Sequence, residues 1–203
     1  MSVQSVSRSP RKAKGAGHLR RAEILDAAQR IFIALGYEGA TIRKIAEAVG
    51  LSSTALYMHF EDKAAILGEI CDGTLNLLLE RNQEIAARPL PAAERVRAML
   101  EAHMRWALEN PYTYQLVYAA PRPESVSHWP EGAAAISLRS FEIFSSVVRE
   151  AAAENPEAVA QVLWMSCHGV VSLLNAHPHF PWVDQEQLMT LTLESLMSGL
   201  LAH

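Results

Sequence analysis

The segment from Thr41 to Lys63, TIRKIAEAVGLSSTALYMHFEDK, constrains the fold more than any other stretch of the chain. In its first half, four apolar residues recur at helical spacing: Ile42, Ile45, Ala46 and Val49. Gly50 follows them, and glycine readily adopts the positive φ at which many helices end. Ser52 is then a favoured N-cap for a second helix. The segment therefore predicts two short helices joined by a tight turn, which is a helix-turn-helix motif.

The second helix has a predictable orientation, because Leu56 and Phe60 lie four residues apart and share one apolar face. The opposite face carries no acidic residue and consists of small or hydrogen-bonding side chains: Ser53, Thr54, Ala55, Tyr57, Met58 and His59. Such a face suits a helix that enters a DNA major groove. Arg43 and Lys44 lie in the first turn of the preceding helix, where the helix dipole disfavours cations, and this placement favours a phosphate outside the protein.

The pattern T-I-R-x-I-A-x-x-x-G-x-S-x-x-x-L-Y-x-H-F-x-x-K, with the earlier A-x-x-x-F-x-x-x-G-Y, resembles the DNA-binding domain of the TetR family of bacterial repressors. The resemblance covers about residues 18–67. It implies operator contacts from Arg43, Ser53, Thr54, Tyr57, His59 and Lys63. Ala55 departs from the family pattern, where Thr or Gly is common, and so removes one contact. The full set of candidate DNA-binding residues is Thr41, Arg43, Lys44, Ser52, Ser53, Thr54, Tyr57, His59 and Lys63.

The charge distribution supports a DNA-binding N-terminal part. Residues 1–63 hold ten Lys and Arg against six Asp and Glu, a net charge of +4, whereas residues 64–203 hold eight against sixteen, a net charge of −8. Residues 1–17 carry four of these cations among Ser, Gly and Pro, and we expect a disordered basic arm that either reaches phosphates or remains a solvated tail. The N-terminus has no signal peptide and no stretch has the length of a membrane span, which predicts a cytoplasmic protein without a membrane partner.

Helical periodicity and proline breaks predict an all-α fold throughout the chain. A first helix over about 19–35 ends at Gly36 and completes a three-helix DNA-binding domain at residues 18–63. Residues 64–203 form a helical-bundle ligand-binding and dimerisation domain, with helices over about 62–87, 91–109, 111–119, 130–153, 156–176 and 184–202. Trp164, His168 and Gly169 resemble the Trp-His-Gly pattern of one TetR subgroup.

The bundle is rich in bulky side chains that carry polar groups. The candidate ligand-binding residues are His103, Trp106, Tyr112, Tyr114, Tyr118, Phe141, Phe144, Trp164 and His168. The alternative for each of them is an ordinary core position whose polar group finds an internal partner. His177 and His179 lie in a proline-rich loop without other ligands at suitable spacing, so we predict no metal site and no cofactor.

No nucleophile–base pair, paired carboxylates or phosphate-binding glycine loop is evident, and we predict no catalytic residues and no enzyme activity. Cys71 and Cys167 are either small buried residues, which is the favoured interpretation, or thiols that sense oxidant.

Small and apolar residues recur on one side of each of the last two helices. They are Val162, Met165, Gly169 and Ser172 on one helix, and Leu188, Leu191, Ser195 and Gly199 on the other. They predict either a homodimer through these two helices or packing within one chain, and the resemblance favours the homodimer. The sequence therefore predicts a repressor that binds a palindromic double-stranded DNA operator as a homodimer and is released by a small-molecule inducer. The alternative is a helical small-molecule binding protein whose N-terminal domain engages another protein.

Overall fold

The computed structural model describes residues 16–119, 131–152 and 154–201. These residues form nine α-helices and one π-helical segment, with no β-strand among them, so the predicted all-α class is confirmed. The described residues up to Leu67 form one compact unit, the head, and those from Gly68 onwards form a second, the bundle. Most of the predicted arm lies outside the described residues; only Ala16 and Gly17 belong to a helix.

The head contains α1 (Ala16–Gly39), α2 (Ile42–Ala48) and α3 (Ser53–Tyr57). The sequence predicts that the first helix ends at Gly36, and this residue indeed leaves helical geometry, with φ 70° and ψ 171°. A short helical stretch continues beyond this kink to Gly39, which the sequence does not predict. The amide of Ala40 donates to the Gly36 carbonyl at 3.2 Å and returns the chain towards α2.

The caps of the two short helices follow the sequence pattern. Thr41 Oγ1 accepts from the Lys44 amide at 3.2 Å, and Ser52 Oγ accepts from the Ala55 amide at 3.1 Å. Gly50 adopts φ 66° in the turn between α2 and α3. The helices pack around one apolar interior, whose buried members include Ile24, Ala28, Phe32, Ile45, Ala46, Leu56, Phe60 and Ile66. Each cap satisfies a backbone N–H that the first turn of its helix leaves without a partner.

The bundle is built from α4 (Lys63–Ala86), whose first residues belong to the head, and from α5 to α9. These helices are α5 (Ala92–Glu109), α6 (Pro111–Tyr114), α7 (Glu131–Ala151), α8 (Pro156–Ala176) and α9 (Gln185–Leu200). One prediction is wrong in detail: the α-helix expected over residues 111–119 becomes a π-helical segment at Gln115–Ala119. Helices α5, α7, α8 and α9 share a core that includes Val96, Met104, Val148, Leu163 and Leu193.

Helix α8 is apolar on both its buried and its exposed sides. Among the described residues it is the one helix long and apolar enough, by length and composition alone, to cross a membrane, yet only 28% of that stretch is buried inside the structure. Its exposed apolar side chains are Val162, Trp164, Met165 and Leu173, and Leu191 on α9 is exposed as well. An apolar helix that is so little covered within one chain has surface left for a partner.

Candidate functional site

Helix α3 presents the predicted outward face. Leu56 is fully buried and Phe60 is 3% exposed, whereas Tyr57 is 54% and Met58 is 84% exposed. Thr54 is also exposed. Although α3 itself is short, the Phe60 amide donates to the Leu56 carbonyl at 3.1 Å, so the backbone stays coiled past its last residue. The side chains on the outward face are therefore available to a partner.

The structure brings five of the nine candidate DNA-binding residues to one shallow surface depression. Its lining includes Thr41, Arg43, Ser53, Tyr57 and Lys63. Lys44, Ser52, Thr54 and His59 lie outside the depression, and His59 is half-buried. The exposed carboxylate of Glu38 also lines it, a residue that the sequence reasoning did not include. The depression is therefore mixed in charge and not uniformly cationic.

The three basic candidates, two in the depression and Lys44 outside it, differ in how many hydrogen bonds hold their side chains. Arg43 is exposed, and its Nε donates to Glu47 Oε1 at 2.8 Å. The ammonium of Lys44 donates to the Gly39 carbonyl at 2.7 Å. The ammonium of Lys63 is half-buried; it donates to the carbonyls of Tyr37 at 2.6 Å and Ala40 at 3.1 Å and lies 4.0 Å from the centre of the Tyr37 ring. Lys63 therefore holds the chain that links α1 to α2.

Two arginines that the sequence reasoning did not single out stabilise the helix-turn-helix from behind. The guanidinium of Arg20 donates to the Val49 carbonyl at 2.7 Å, at the end of α2. The guanidinium of Arg21 donates to the His59 carbonyl and lies 3.9 Å from the centre of the Phe60 ring. Both guanidinium groups reach from α1 to the end of a short helical stretch, where carbonyls lack helical partners and a cation is favoured. The adjacent arginine pair was the available sequence signal.

In the bundle, most of the predicted ligand-binding residues meet in one cluster of rings. The ring centres of His103 and His168 are 4.6 Å apart, and Trp164 lies 4.3 Å from His168. Tyr118 lies 4.9 Å from His168. Six candidates line one cavity: His103, Tyr118, Phe141, Phe144, Trp164 and His168. We call this the imidazole cavity.

The other three candidates lie behind or beside the imidazole cavity. Tyr114 and Trp106 do not line the cavity but lie next to His103, with ring centres 6.3 Å and 6.1 Å from its ring centre. Tyr112 is 59% exposed and lines a separate depression together with Tyr114. The structure therefore does not bring Tyr112 to the imidazole cavity; the depression that it lines is larger, at about 480 Å³. Its sequence position beside the aromatic run did not reveal that it lies on the outer side of α6.

Several polar lining residues of the imidazole cavity were missed, because in the sequence they look like ordinary solvent-facing helix positions; Arg81 and Asn82, for example, lie in the polar run over residues 80–84. Asn82 Nδ2 donates to Ser140 Oγ at 2.9 Å, which joins α4 to α7 across the cavity wall. Ser137 also lines it, and the exposed Arg81 is the only formally charged residue among the described lining side chains. The enclosed volume is about 60 Å³. Ligand sites for drug-sized molecules are usually several-fold larger, at roughly 300–1,000 Å³.

Both imidazoles of the cavity are held in the neutral form. Burial, and secondarily the neighbouring His168, lowers the pKa of His103 to about 3. Burial also lowers the pKa of His168 to about 4. The Tyr114 hydroxyl lies 2.8 Å from His168 Nδ1 and 3.0 Å from Ser172 Oγ. The Nε2 atoms of both histidines are buried and have no hydrogen-bond partner among the described residues. The cavity therefore has a polar but uncharged floor.

Neither cysteine has the environment of a redox sensor. Cys71 and Cys167 are both buried, and burial raises the pKa of each thiol to about 12. The reactive thiolate is then scarce at neutral pH. Within the part of the chain that the structure describes, no group of three or more His, Cys, Asp or Glu side chains is placed to hold a metal ion.

Two family profiles match the chain and together cover most of it. Residues 24–70 match the profile described as bacterial regulatory proteins, tetR family, and residues 96–196 match the tetracyclin repressor-like C-terminal domain. A curated relative, the HTH-type transcriptional repressor KstR2 of Rhodococcus jostii, is 41% identical over 83 residues. That segment is 41% of this chain and 39% of the relative, so the chain spans about two fifths of the relative's length.

Solved structures resemble the chain over a longer range. The structure of the regulatory protein SCO4313 has a TM-score of 0.76 with 22% identity. The comparison covers 93% of this chain and 98% of that one. The transcriptional regulator FadR of Bacillus subtilis, crystallised with stearoyl-CoA, has a TM-score of 0.74 with 18% identity. That comparison covers 88% of this chain and 98% of the FadR chain. At these identities the likeness concerns the fold.

Proposed function

This chain belongs to the tetR family of bacterial regulatory proteins, and from that premise we propose that it is a cytoplasmic transcriptional repressor. It binds a palindromic operator as a homodimer and is released by a small-molecule inducer. The observation that carries the proposal is the exposed, acid-free outer face of α3 above a buried Leu56 and Phe60. We assign no catalytic role to any residue.

On the operator, α3 enters the major groove. Ser53, Thr54 and Tyr57 contact bases or the adjacent sugar-phosphate, because they lie on the outer side of α3 or line the depression beside it. The phosphate contacts come from the rim of this surface, from Thr41, Arg43, Lys44, Ser52, His59 and Lys63. A dimer with two such heads would read half-sites about one helical turn apart, or a multiple of it, at roughly 34–36 Å.

Arg43 is the phosphate contact that the structure leaves easiest to recruit. Its partner Glu47 is exposed, and an exposed ion pair contributes little to stability, so Arg43 can turn to a phosphate at little cost. Lys63 is different, because its ammonium would have to leave two carbonyls. We therefore propose that Arg43 and Lys44 supply most of the phosphate attraction, and that Lys63 acts mainly by positioning α2.

Selection of duplexes from a random library tests the central proposal. We expect the full chain to enrich a palindrome and to bind it with an affinity that falls steeply as salt rises. Arg43→Ala should weaken binding to selected and random duplexes alike and flatten the salt dependence. Tyr57→Ala should reduce affinity for the selected palindrome more than for random duplex. Absence of duplex binding at low salt would refute the repressor proposal and favour a head that engages another protein.

The homodimer forms through the exposed apolar sides of α8 and α9. Met165 and Leu173 on α8 and Leu191 on α9 are each more than half exposed in the single chain. Gly169, Ser195 and Gly199 are exposed on the same two helices and would allow close approach of a second copy. A carboxylate in such an interface would be buried without a partner. Met165→Asp should therefore give monomers in sedimentation velocity, whereas Leu138→Asp, on the exposed side of α7, should leave the dimer intact.

The inducer binds in the imidazole cavity and must enlarge it. An enclosed volume of about 60 Å³ accepts a small group and not a whole drug-sized molecule, so the walls formed by α4, α5, α7 and α8 have to separate. A ligand that binds only the enlarged conformer shifts the population towards it. Helix α4 contributes Leu78 and Asn82 to the wall and begins at Lys63, so we propose that its displacement alters the spacing of the two heads.

Linkage gives a test of the release step. If filling both inducer sites of the dimer weakens operator binding by some factor, saturating operator must weaken the two inducer-binding steps by the same factor in their product. Titrations of ligand with and without the selected duplex measure both factors. Unequal factors, or a ligand that binds equally in both cases, would exclude the proposed coupling.

A further inference from the structure

Two residues that line the imidazole cavity each carry a buried nitrogen atom without a hydrogen-bond partner among the described residues. His103 Nε2 and His168 Nε2 are both enclosed, and neither has a partner among the described residues. Buried polar groups in proteins nearly always have a partner, since each unsatisfied group is costly. Both histidines line the same cavity, and their ring centres are 4.6 Å apart. Because the two ring centres are so close, one small polar group beside both rings can reach both imidazoles.

We propose that the imidazole cavity binds the hydroxyl group of an otherwise apolar, ring-containing ligand, with His103 Nε2 and His168 Nε2 as its two hydrogen-bond partners. This inference rests on the proposed ligand role of the cavity and specifies the chemistry that the cavity selects. It concerns the polar end of the ligand, because the enclosed volume of about 60 Å³ is close to the size of a small group.

The choice of a hydroxyl follows from the hydrogen-bonding state of the imidazoles. The Tyr114 hydroxyl lies 2.8 Å from His168 Nδ1 and 3.0 Å from Ser172 Oγ, and it can donate its proton to either atom. If it donates to Nδ1, the proton of neutral His168 lies on Nε2, which becomes a donor; if Nδ1 donates to the tyrosine, Nε2 is an acceptor. A ligand hydroxyl satisfies His168 Nε2 in both cases, because it can accept from an N–H or donate to a bare ring nitrogen. It can also donate to His103 Nε2 or accept from it, whichever tautomer His103 adopts.

The same surroundings disfavour a charged group at this position. Both imidazoles are neutral near pH 7, and no carboxylate stands among the described lining residues. Arg81 is the only cation of the described lining, and it is exposed. An anion placed at the floor would lose its hydration without a counter-charge. A carboxylate or phosphate on the ligand would therefore remain outside, on the side of Arg81.

The walls around the floor favour a flat apolar ring. Phe141 and Trp164 meet edge to face with ring centres 5.9 Å apart, and Tyr118 meets His168 in the same way at 4.9 Å. Leu78, Met99 and Leu100 complete the apolar lining. Aromatic walls with one hydrogen-bonding floor match a phenol better than an aliphatic diol or a sugar, whose further hydroxyls would have no partners.

Binding of three para-substituted fluorobenzenes, of which the phenol and the toluene are nearly equal in size, tests this selectivity without DNA. Fluorine NMR titrations of the full chain would compare 4-fluorophenol, 4-fluorotoluene and 4-fluorobenzoate. We expect 4-fluorophenol to bind about tenfold more tightly than 4-fluorotoluene, which leaves both Nε2 atoms unpaired, and we expect 4-fluorobenzoate to bind most weakly. Equal affinities for phenol and toluene, tightest binding of the benzoate, or no binding of any probe at millimolar concentration would overturn the inference.

Variants assign the preference to the two imidazoles. His103→Leu and His168→Leu should each reduce the phenol preference to below about threefold while 4-fluorotoluene still binds. The Gln variants keep a hydrogen-bonding group and should retain part of the preference; they also serve if a Leu variant does not fold. His179→Leu, in the exposed loop after α8, is the matched control and should change nothing. A preference that survives both His→Leu changes would also overturn the inference.

The probe titrations can fail or succeed independently of the duplex-binding test of the repressor proposal. A chain that selects 4-fluorophenol through the two imidazoles but binds no duplex keeps this inference and loses the repressor function. A chain that binds a palindrome but shows no phenol preference keeps the repressor function and loses this inference.

Discussion

In the head, polar side chains face outward or cap helix ends, whereas in the bundle the most unusual polar groups face inward and apolar side chains face outward. Thr54 and Tyr57 are exposed above a buried Leu56. In the bundle, the His103 and His168 Nε2 atoms are buried and have no hydrogen-bond partner in the described part of the chain, while Leu173 is 53% exposed. The head has an ordinary apolar interior and a polar surface. The bundle has a cavity with buried polar atoms and an exposed apolar surface, and both would gain from being covered.

The contrast shows where partners contribute to free energy. An outward polar surface binds mainly by electrostatics and hydrogen bonds, which salt and water weaken, as expected for DNA. Unpaired buried nitrogens and an exposed apolar helix gain most from being covered, as expected for a ligand and a second copy of the chain. In the head, we therefore expect substitutions of buried residues to lower stability and those of exposed residues to change binding. In the bundle, we expect substitutions of buried polar residues to change ligand binding and those of exposed apolar residues to change dimerisation.

The largest expected effect tests the interior of the head. Leu56 is fully buried, so Leu56→Ala should destabilise the head by about 2–5 kcal/mol through lost burial and a residual cavity. Met58, two residues later, is 84% exposed, and Met58→Ala should change stability by less than about 0.5 kcal/mol. Hydrogen exchange of peptides from the head measures both. Similar losses in the two variants would show that the outer face of α3 is packed and would remove the contrast.

Acid should destabilise the bundle selectively. Burial lowers the pKa of His103 to about 3 and that of His168 to about 4, below the ordinary value near 6.5. Between those values the unfolded chain binds more protons than the folded one, so stability is full above about pH 6.5 and falls as the pH decreases. From pH 6.5 to 5, each ring should cost on the order of 2 kcal/mol. Exchange of bundle peptides at several pH values measures this loss.

Histidine variants isolate the contribution of each ring from that of the carboxylates. His103→Leu and His168→Leu should each reduce the slope of bundle stability against pH, between pH 6 and 5, by the equivalent of about one bound proton. His179→Leu should leave the slope unchanged, because this residue lies in the exposed loop after α8. An unaltered slope in both cavity variants would mean that the imidazoles are hydrated and that the bundle has no enclosed polar floor.

The two lysines of the α1–α2 connection give a smaller effect and refine the account of the head. Lys63→Met removes two hydrogen bonds to carbonyls and a contact with the Tyr37 ring, and should cost about 1–3 kcal/mol. Lys44→Met removes one exposed hydrogen bond, to the Gly39 carbonyl, and should cost less than about 1 kcal/mol. Chemical denaturation followed by circular dichroism compares the pair. Equal costs would assign Lys63 to the surface alone and restore it as a primary phosphate contact.

The sequence predicted local features well where one residue decides them. Gly36 and Gly50 adopt positive φ, and Thr41 and Ser52 cap their helices, because these choices depend on a few neighbouring backbone atoms. Periodicity likewise predicted the helices of the bundle. It could not distinguish Tyr112, on the outer side of α6, from Tyr114, which is buried, since two aromatic residues two positions apart on a four-residue helix give no clear face.

Long-range arrangements were the part that the sequence could not give. Asn82 meets Ser140 across 58 positions, and Tyr114 meets His168 across 54, so neither pair leaves a local pattern. Lys63 was predicted as a phosphate contact because its family position suggested one. Its hydrogen bonds to Tyr37 and Ala40 depend on how the first helix ends, which no spacing within the helix-turn-helix reveals.

The smallest expected effect on stability concerns Arg43, and it separates folding from binding most sharply. Both side chains of its ion pair with Glu47 are exposed, and the pair spans one helical turn, so Arg43→Ala should leave the denaturation midpoint unchanged. If the outward polar surface exists for a partner, the same variant should lose duplex affinity and salt dependence while denaturation stays unchanged. Glu47→Ala is the matched control: it frees the guanidinium and removes an anion, so it should preserve or raise duplex affinity. A variant pair that changed stability and left duplex binding untouched would reverse the roles assigned to the two sides of the head.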